Sequence, residues 1–154
     1  MPILYTAGQL REALGLPKET FRYWKKAFPV LAGSRDQRPR FAPSDLLATA
    51  LVKRLTETFG IPVAKLAPVA DQLFSLCRDH AWPQLERMAA VFHLDKNEVR
   101  FEPEDRTLTV AEVALVLPLR PVVDALRAQL HQAEFDAQSS FAFPPFALPK
   151  RGAK

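Results

Sequence analysis

Residues 17–41, PKETFRYWKKAFPVLAGSRDQRPRF, decide how this chain is read. Phe21, Trp24 and Phe28 stand at i, i+3 and i+7, the spacing that places three side chains on one face of a helix. Lys18, Arg22, Lys25 and Lys26 are interleaved with them and, with Tyr23, point largely the other way. A helix of this kind is anchored through its aromatic face and offers its cationic face to a polyanion. Pro29 ends it. Arg35, Arg38 and Arg40 then fall within six residues, in the company of Gly33, Ser34 and Asp36, a composition that suits an exposed loop or hairpin. Residues 30–41 therefore read as a wing, with Val30 and Leu31 on the way out and Phe41 on the way back. Charge alone does not separate this helix from an ordinary solvated one; its neighbours in the chain do.

Upstream, Thr6 is placed to cap a short helix whose Ala7, Leu10 and Leu14 share a face, and Gly15 is placed to end it. Leu16-Pro17 leads directly into the cationic helix. Two short helices joined by a Gly-containing turn make a helix-turn-helix pattern, whose second helix enters the major groove of DNA. Downstream, Pro43-Ser44-Asp45 opens a third helix with a Leu47, Ala50, Leu51, Leu55 and Thr58 stripe, stopped by Gly60-Ile61-Pro62. Val63, Leu66 and Ala67 form one apolar turn. Pro68 predicts a break, followed by a helix to about Arg78.

Six features in order resemble the DNA-binding domain of MerR-family regulators: Tyr5-Thr6, Gly15, Phe21-Arg22-Tyr23-Trp24, the wing closing in Arg40-Phe41, Ser44-Asp45-Leu46 and Gly60-Ile61-Pro62. The resemblance covers about residues 4–75. It implies a winged helix-turn-helix fold, with Arg22 and Tyr23 at the positions of the family's arginine-tyrosine pair. Two departures accompany it. Members of the family usually continue into one long helix that dimerises, whereas Pro68 and Trp82-Pro83 interrupt any such helix here. Metal-sensing members use several cysteines, whereas this chain has one, Cys77, so sensing of metals, redox state or drugs is not carried over.

The 154 residues, 48% hydrophobic and 25% charged, have room for one domain with a real core or for a small domain with an appendage. The net charge is +4, unevenly spread: residues 1–78 hold twelve Lys and Arg against six Asp and Glu, and the remainder nine against eleven. That asymmetry favours a nucleic-acid-binding front and a back half with another task. No apolar run approaches the roughly 20 residues that span a bilayer. The opening MPILYTAG lacks a charged n-region and a cleavage pattern. A single cysteine gives no internal disulfide. The expectation is a cytoplasmic protein.

In the second half, Pro83 is expected to open a helix with Leu85, Met88, Ala89 and Phe92 on one face. A β-hairpin is expected next, Val99 and Phe101 alternating with polar residues, Pro103-Glu104-Asp105 turning, and Leu108 and Val110 alternating again. Residues 113–119 suit a buried strand or a helix end. Arg120-Pro121 starts a last helix with a Val122, Val123, Leu126 and Leu130 stripe for packing or dimerisation. From Ala137 the Pro- and Phe-rich run reads as a flexible tail. Its Phe141, Phe143 and Phe146 either pack on their own domain or a dimer mate, or serve as a docking peptide for another protein.

Catalytic chemistry finds little support. Cys77, His80, His93 and His131 do not make a convincing zinc set, since structural sites usually carry more cysteines. Glu102, Glu104 and Asp105 read as a solvated turn. No phosphate-binding glycine loop or nucleophile elbow is present. The expectation is therefore a mainly α protein without enzymatic activity, cofactor or metal. It is divided into a winged helix-turn-helix domain (1–78), an α+β segment of helix, hairpin and helix for dimerisation or an effector (79–136), and a tail (137–154). As a homodimer it would bind an inverted repeat in double-stranded DNA and regulate transcription. Lys18, Glu19 and Thr20 would lie near base edges, Arg22 and Tyr23 on phosphates, Lys25 and Lys26 on the cationic face, and Arg35, Arg38 and Arg40 on the flanking backbone or minor groove. An excisionase-like architectural factor and a protein-interaction module are the alternatives.

Overall fold

A computed structural model describes residues 3–33, 38–105 and 113–141, with side-chain surroundings through residue 132. The first helix, α1 (Ala7–Leu14), begins where the Thr6 hydroxyl accepts the Gln9 N–H at 3.2 Å and the Gln9 side chain accepts the Thr6 N–H at 2.9 Å. This reciprocal cap satisfies two donors that a helix start leaves free. Gly15, at φ 63°, closes α1 in the left-handed conformation that costs glycine nothing. Three residues later the chain re-enters helix as α2 (Lys18–Ala27).

Beyond α2 the structure departs from the expected wing. Val30 and Leu31 do not leave as a strand, because Pro29–Ala32 is one helical turn, α3. Proline at its first position already has helical φ, and Leu31 drops into the core. The returning strand β2 (Arg40–Phe41) pairs with β1 (Tyr5–Thr6), placing Tyr5 opposite Phe41 and Thr6 opposite Arg40. Helix α4 (Pro43–Glu57) follows and is buried around most of its circumference, Leu46, Leu47, Ala48, Thr49, Leu51 and Leu55 all being inaccessible. Thr58, expected on its apolar stripe, is exposed. The break at Pro68 occurs as expected: α5 (Val63–Leu66) tightens into a 3-10 turn over Ala67–Val69 before α6 (Ala70–Asp79).

At the start of α4 the Asp45 carboxylate accepts the Ala42 N–H at 3.0 Å through one oxygen. The other takes the Arg78 guanidinium, whose Nε and Nη2 lie 3.2 and 3.0 Å away. One largely buried acid thus caps α4 and holds the end of α6.

The helix expected from Pro83 through Phe92 is not formed. Only Trp82–Leu85 is helical, as α7, and Met88–His93 is strand β3. A run such as Ala89-Ala90-Val91-Phe92 has no polar face, so periodicity cannot separate a buried strand from a buried helix. Here the run is the centre of a three-stranded antiparallel sheet in the order β4-β3-β5. The hairpin is also shifted: β4 (Glu98–Pro103) pairs back onto β3, His93 facing Glu98 and Met88 facing Pro103. Its turn is Leu94-Asp95-Lys96-Asn97, with Asn97 at φ 53°, a conformation that asparagine tolerates better than most residues. Leu108 and Val110, the expected return strand, lie outside the described residues. Residues 115–118 form β5, on the other side of β3, so the ambiguous apolar run is a strand.

Gln72 of α6 occupies the free side of β4: its amide donates to Asn97 O and accepts the Val99 N–H, both at 3.2 Å. The last helix, α8, runs Arg120–Phe141 and so extends five residues into the expected tail; no proline stands between Pro121 and Pro144 to stop it. Val122, Val123 and Leu126 are buried, and α8 packs on α1 and α4. A single apolar cluster runs from Leu10 to Leu126, through both halves of the chain. Arg127 reinforces the back half, pairing with Glu86 and lying 5.8 Å from the centre of the Trp82 ring.

Candidate nucleic-acid interface

Helix α2 is held by its aromatic face and by its ends. Phe21 and Trp24 are each 3% exposed and Phe28 is fully covered. The Trp24 and Phe28 rings meet edge to face at 6.2 Å, and Phe21 meets Phe41 of β2 in the same manner at 6.3 Å. Glu19 in the first turn and Lys25 and Lys26 in the last suit the helix dipole. Phe28 caps the C-terminus, its N–H donating to Trp24 O at 2.7 Å.

With the aromatic face turned inward, the opposite arc is centred on Glu19, Arg22, Tyr23 and Lys26, all exposed, with Lys18 exposed at its flank. Tyr23 is 57% exposed, far more than its ring requires for packing. Two candidates are less open: Thr20 and Lys25 are half-buried. Lys25 lays its ammonium 5.4 Å from the centre of the Phe21 ring, so its stem covers the aromatic wedge while its charge remains at the edge of the arc. Glu19 lies 3.7 Å from Arg22, with both side chains well solvated. Such a pair contributes little to stability and keeps the guanidinium next to an acid. Four cations against one carboxylate leave α2 strongly positive.

The loop after α3 is pinched at its base. Gly33 has φ 68°, and a Cβ there would lie 2.8 Å from Cβ of Pro39. The chain on either side is thus brought together at Gly33 and Pro39, and Arg38 and Arg40, on the returning side, are both exposed. Arg40 alternates with the buried Phe41, so the inward ring fixes β2 to α2 while the arginine faces out. Arg35 lies outside the described residues.

Sequence reasoning missed the Lys25–Phe21 stack and the Glu19–Arg22 pair. Both follow the i, i+3 and i, i+4 spacings of a helix and could have been read from them. The pinch at Gly33 needed the fold, since its partner Pro39 is six residues away.

Two residues considered as metal ligands have structural surroundings. His80 makes a 2.8 Å hydrogen bond through Nδ1 to Leu76 O at the end of α6 and packs against Phe101. Cys77 is fully buried, and burial, aided by the nearby Asp45 carboxylate, pushes its thiol up to about 12. Among the described residues no group of three or more His, Cys, Asp or Glu is placed to hold a metal ion, and no helix is long and apolar enough to cross a membrane.

Residues 5–73 match the family model described as MerR HTH family regulatory protein. The match spans β1 through the first half of α6 and includes every candidate DNA-contacting residue. No curated protein matches the chain. Over this stretch the chain is similar to the MerR helix-turn-helix regulatory family, a likeness that supports a helix-turn-helix DNA-binding domain. The three-stranded sheet and α8 lie beyond the matched stretch.

Proposed function

We propose that the protein is a transcription regulator that inserts α2 into the major groove of DNA and binds as a homodimer to an inverted repeat. The observation that carries this reading is the division of α2, with Phe21, Trp24 and Phe28 in the core and Arg22, Tyr23 and Lys26 facing solvent. Lys18, Glu19 and Thr20 stand at its N-terminal end, where a recognition helix meets base edges. Arg22, Tyr23, Lys25 and Lys26 serve the phosphates, which set register without carrying sequence. Arg38 and Arg40, together with Arg35, serve the wing's role and reach the flanking backbone or minor groove. The segment beyond the matched domain supplies the second subunit's contact, and two copies about a two-fold axis read two half-sites. The Pro- and Phe-rich end of the chain is the place to look for a protein partner, and the reading locates the molecule with the DNA in the cytoplasm.

Selection of genomic fragments by the purified protein, followed by footprinting of the recovered site, tests this. The expected footprint is two-fold symmetric, with half-sites separated by about one helical turn. Cooperative spreading over adjacent sites with strong bending, without symmetry, would instead identify an architectural factor.

A further inference from the structure

The three-stranded sheet ends in two edges that are finished differently. On β4 the outward backbone groups are taken: Gln72 donates to Asn97 O and accepts the Val99 N–H, both at 3.2 Å. On β5 they are open. The Leu119 N–H donates to Met88 O at 3.0 Å, and hydrogen-bonded pairs alternate with non-bonded ones along an antiparallel ladder. With Ala90 opposite Leu117 and Val91 opposite Val116, Leu115 and Leu117 therefore bond β3, while the N–H and C=O of Val116 point away from the sheet. Among the described residues no strand lies beyond β5, and no hydrogen bond reaches Val116 from that side. Pro118 shares the outward parity of Val116, where its missing N–H costs the sheet no bond. Val116 and Pro118 are both exposed. Residues 113–119 carry no charge, so the edge lacks the charged side chains that keep such strands apart.

We infer that β5 is the contact between two copies of the chain, joined edge to edge as antiparallel strands of one six-stranded sheet. This rests on the homodimer reading above and gives that dimer its interface. A two-fold contact must present the same groups from both sides, and β5 does. With Val116 set against Val116 of the second copy, each N–H meets the other's C=O, making two bonds across the axis. Ala114 then stands opposite Pro118 of the second copy. The Ala114 N–H meets the proline C=O, which adds two more bonds over the pair, and the proline has no donor to return. The two Val116 side chains lie next to one another on the outer face of the joined sheet. Because Gln72 closes the β4 edge, pairing stops at two copies instead of propagating. The seam lies outside residues 5–73 and uses no residue of the proposed DNA face.

Sedimentation equilibrium of the full-length protein without DNA tests this. The parent is expected to have the mass of a dimer. Val116→Pro removes the outward N–H at an edge position where proline is tolerated. Val116→Lys sets two ammonium groups against one another across the axis. Each should raise the dimer dissociation constant about tenfold or more while keeping the circular dichroism of the parent. Amide hydrogen exchange gives a reading that needs no variant. The Val116 N–H should become protected as protein concentration rises through the dissociation constant, whereas the Leu117 N–H, bonded within each copy's own sheet, should not change. A dimeric parent whose two variants associate as tightly, or Val116 exchange that is independent of concentration in a dimeric parent, would overturn the β5 contact and leave the homodimer reading standing. A monomeric parent would overturn both.

Discussion

The ring of Phe41 meets the ring of Phe21 edge-on, with centroids 6.3 Å apart and planes at 79°. Through this contact β2, which carries Arg40, is fixed to the buried side of α2, so strand and helix are positioned by one piece of core. Phe41→Ala should destabilise the protein by about 3–5 kcal/mol, the range for a buried phenylalanine. Phe41→Leu, which keeps most of the volume, should cost less. Urea unfolding followed by circular dichroism measures both; equal midpoints for Phe41→Ala and the parent would show that the contact contributes nothing.

That contact also marks the boundary between what the residues declare locally and what only the fold decides. Phe21, Trp24 and Phe28 are legible as one face because three large aromatics at helical spacing form a stripe that water would not tolerate. Thr6, Gly15 and Pro68 are legible because each acts on the backbone within a few residues of itself. Partnership across the chain is not. Nothing near Phe41 says that it pairs with Tyr5 instead of with Val30, and Leu31 sits in a helical turn because the core has a place for it. Ala89–Phe92 lacks a polar face, so the choice between helix and strand rests on β4 and β5 being available on either side. The Asp95-Lys96-Asn97 turn carries its own signal in Asn97, but Pro103-Glu104-Asp105 carries a stronger one by composition and draws the expected hairpin to the wrong place. For the interface, exposure of Arg22, Tyr23 and Lys26 follows from the helical period, whereas the half-burial of Thr20 is seen only in the fold.

Gly33 is the residue at which the loop is most sensitive. Alanine there would have to adopt φ 68° and bring its Cβ to 2.8 Å from Pro39. Strain of this kind costs of order 1–3 kcal/mol. Gly33→Ala is therefore expected to lower the thermal midpoint by several degrees, about 2–8 °C per kcal/mol over common domain sizes. Gly8→Ala, within a helix and with no close contact, is the comparison and should leave the midpoint unchanged or raised.

Cys77 predicts a component of alkaline instability. Its thiol is raised from 9.0 to about 12, so the folded state keeps the proton that the unfolded chain loses. Below pH 9 both states are protonated and the group contributes no pH dependence. From pH 9 to pH 12 its stabilisation is lost progressively, on the order of 4 kcal/mol over the full interval. Cys77→Ala should be less stable at neutral pH because of the cavity it leaves, and its stability should fall less steeply over this interval than that of the parent. Parallel stability–pH curves for the two proteins would contradict the assignment.

The central claim is that the exposed arc of α2 lies on DNA, and the salt dependence of binding measures it most directly. Each phosphate neutralised adds about 0.9 to the magnitude of the slope of log K against log salt concentration. Arg22→Ala and Lys26→Ala are each expected to weaken binding at low salt and to reduce that slope by about 1. Arg87→Ala, which removes the same charge from a position outside the matched domain, is expected to leave the slope unchanged. Equal slopes for the parent protein, Arg22→Ala and Lys26→Ala would contradict the placement of α2 on the duplex.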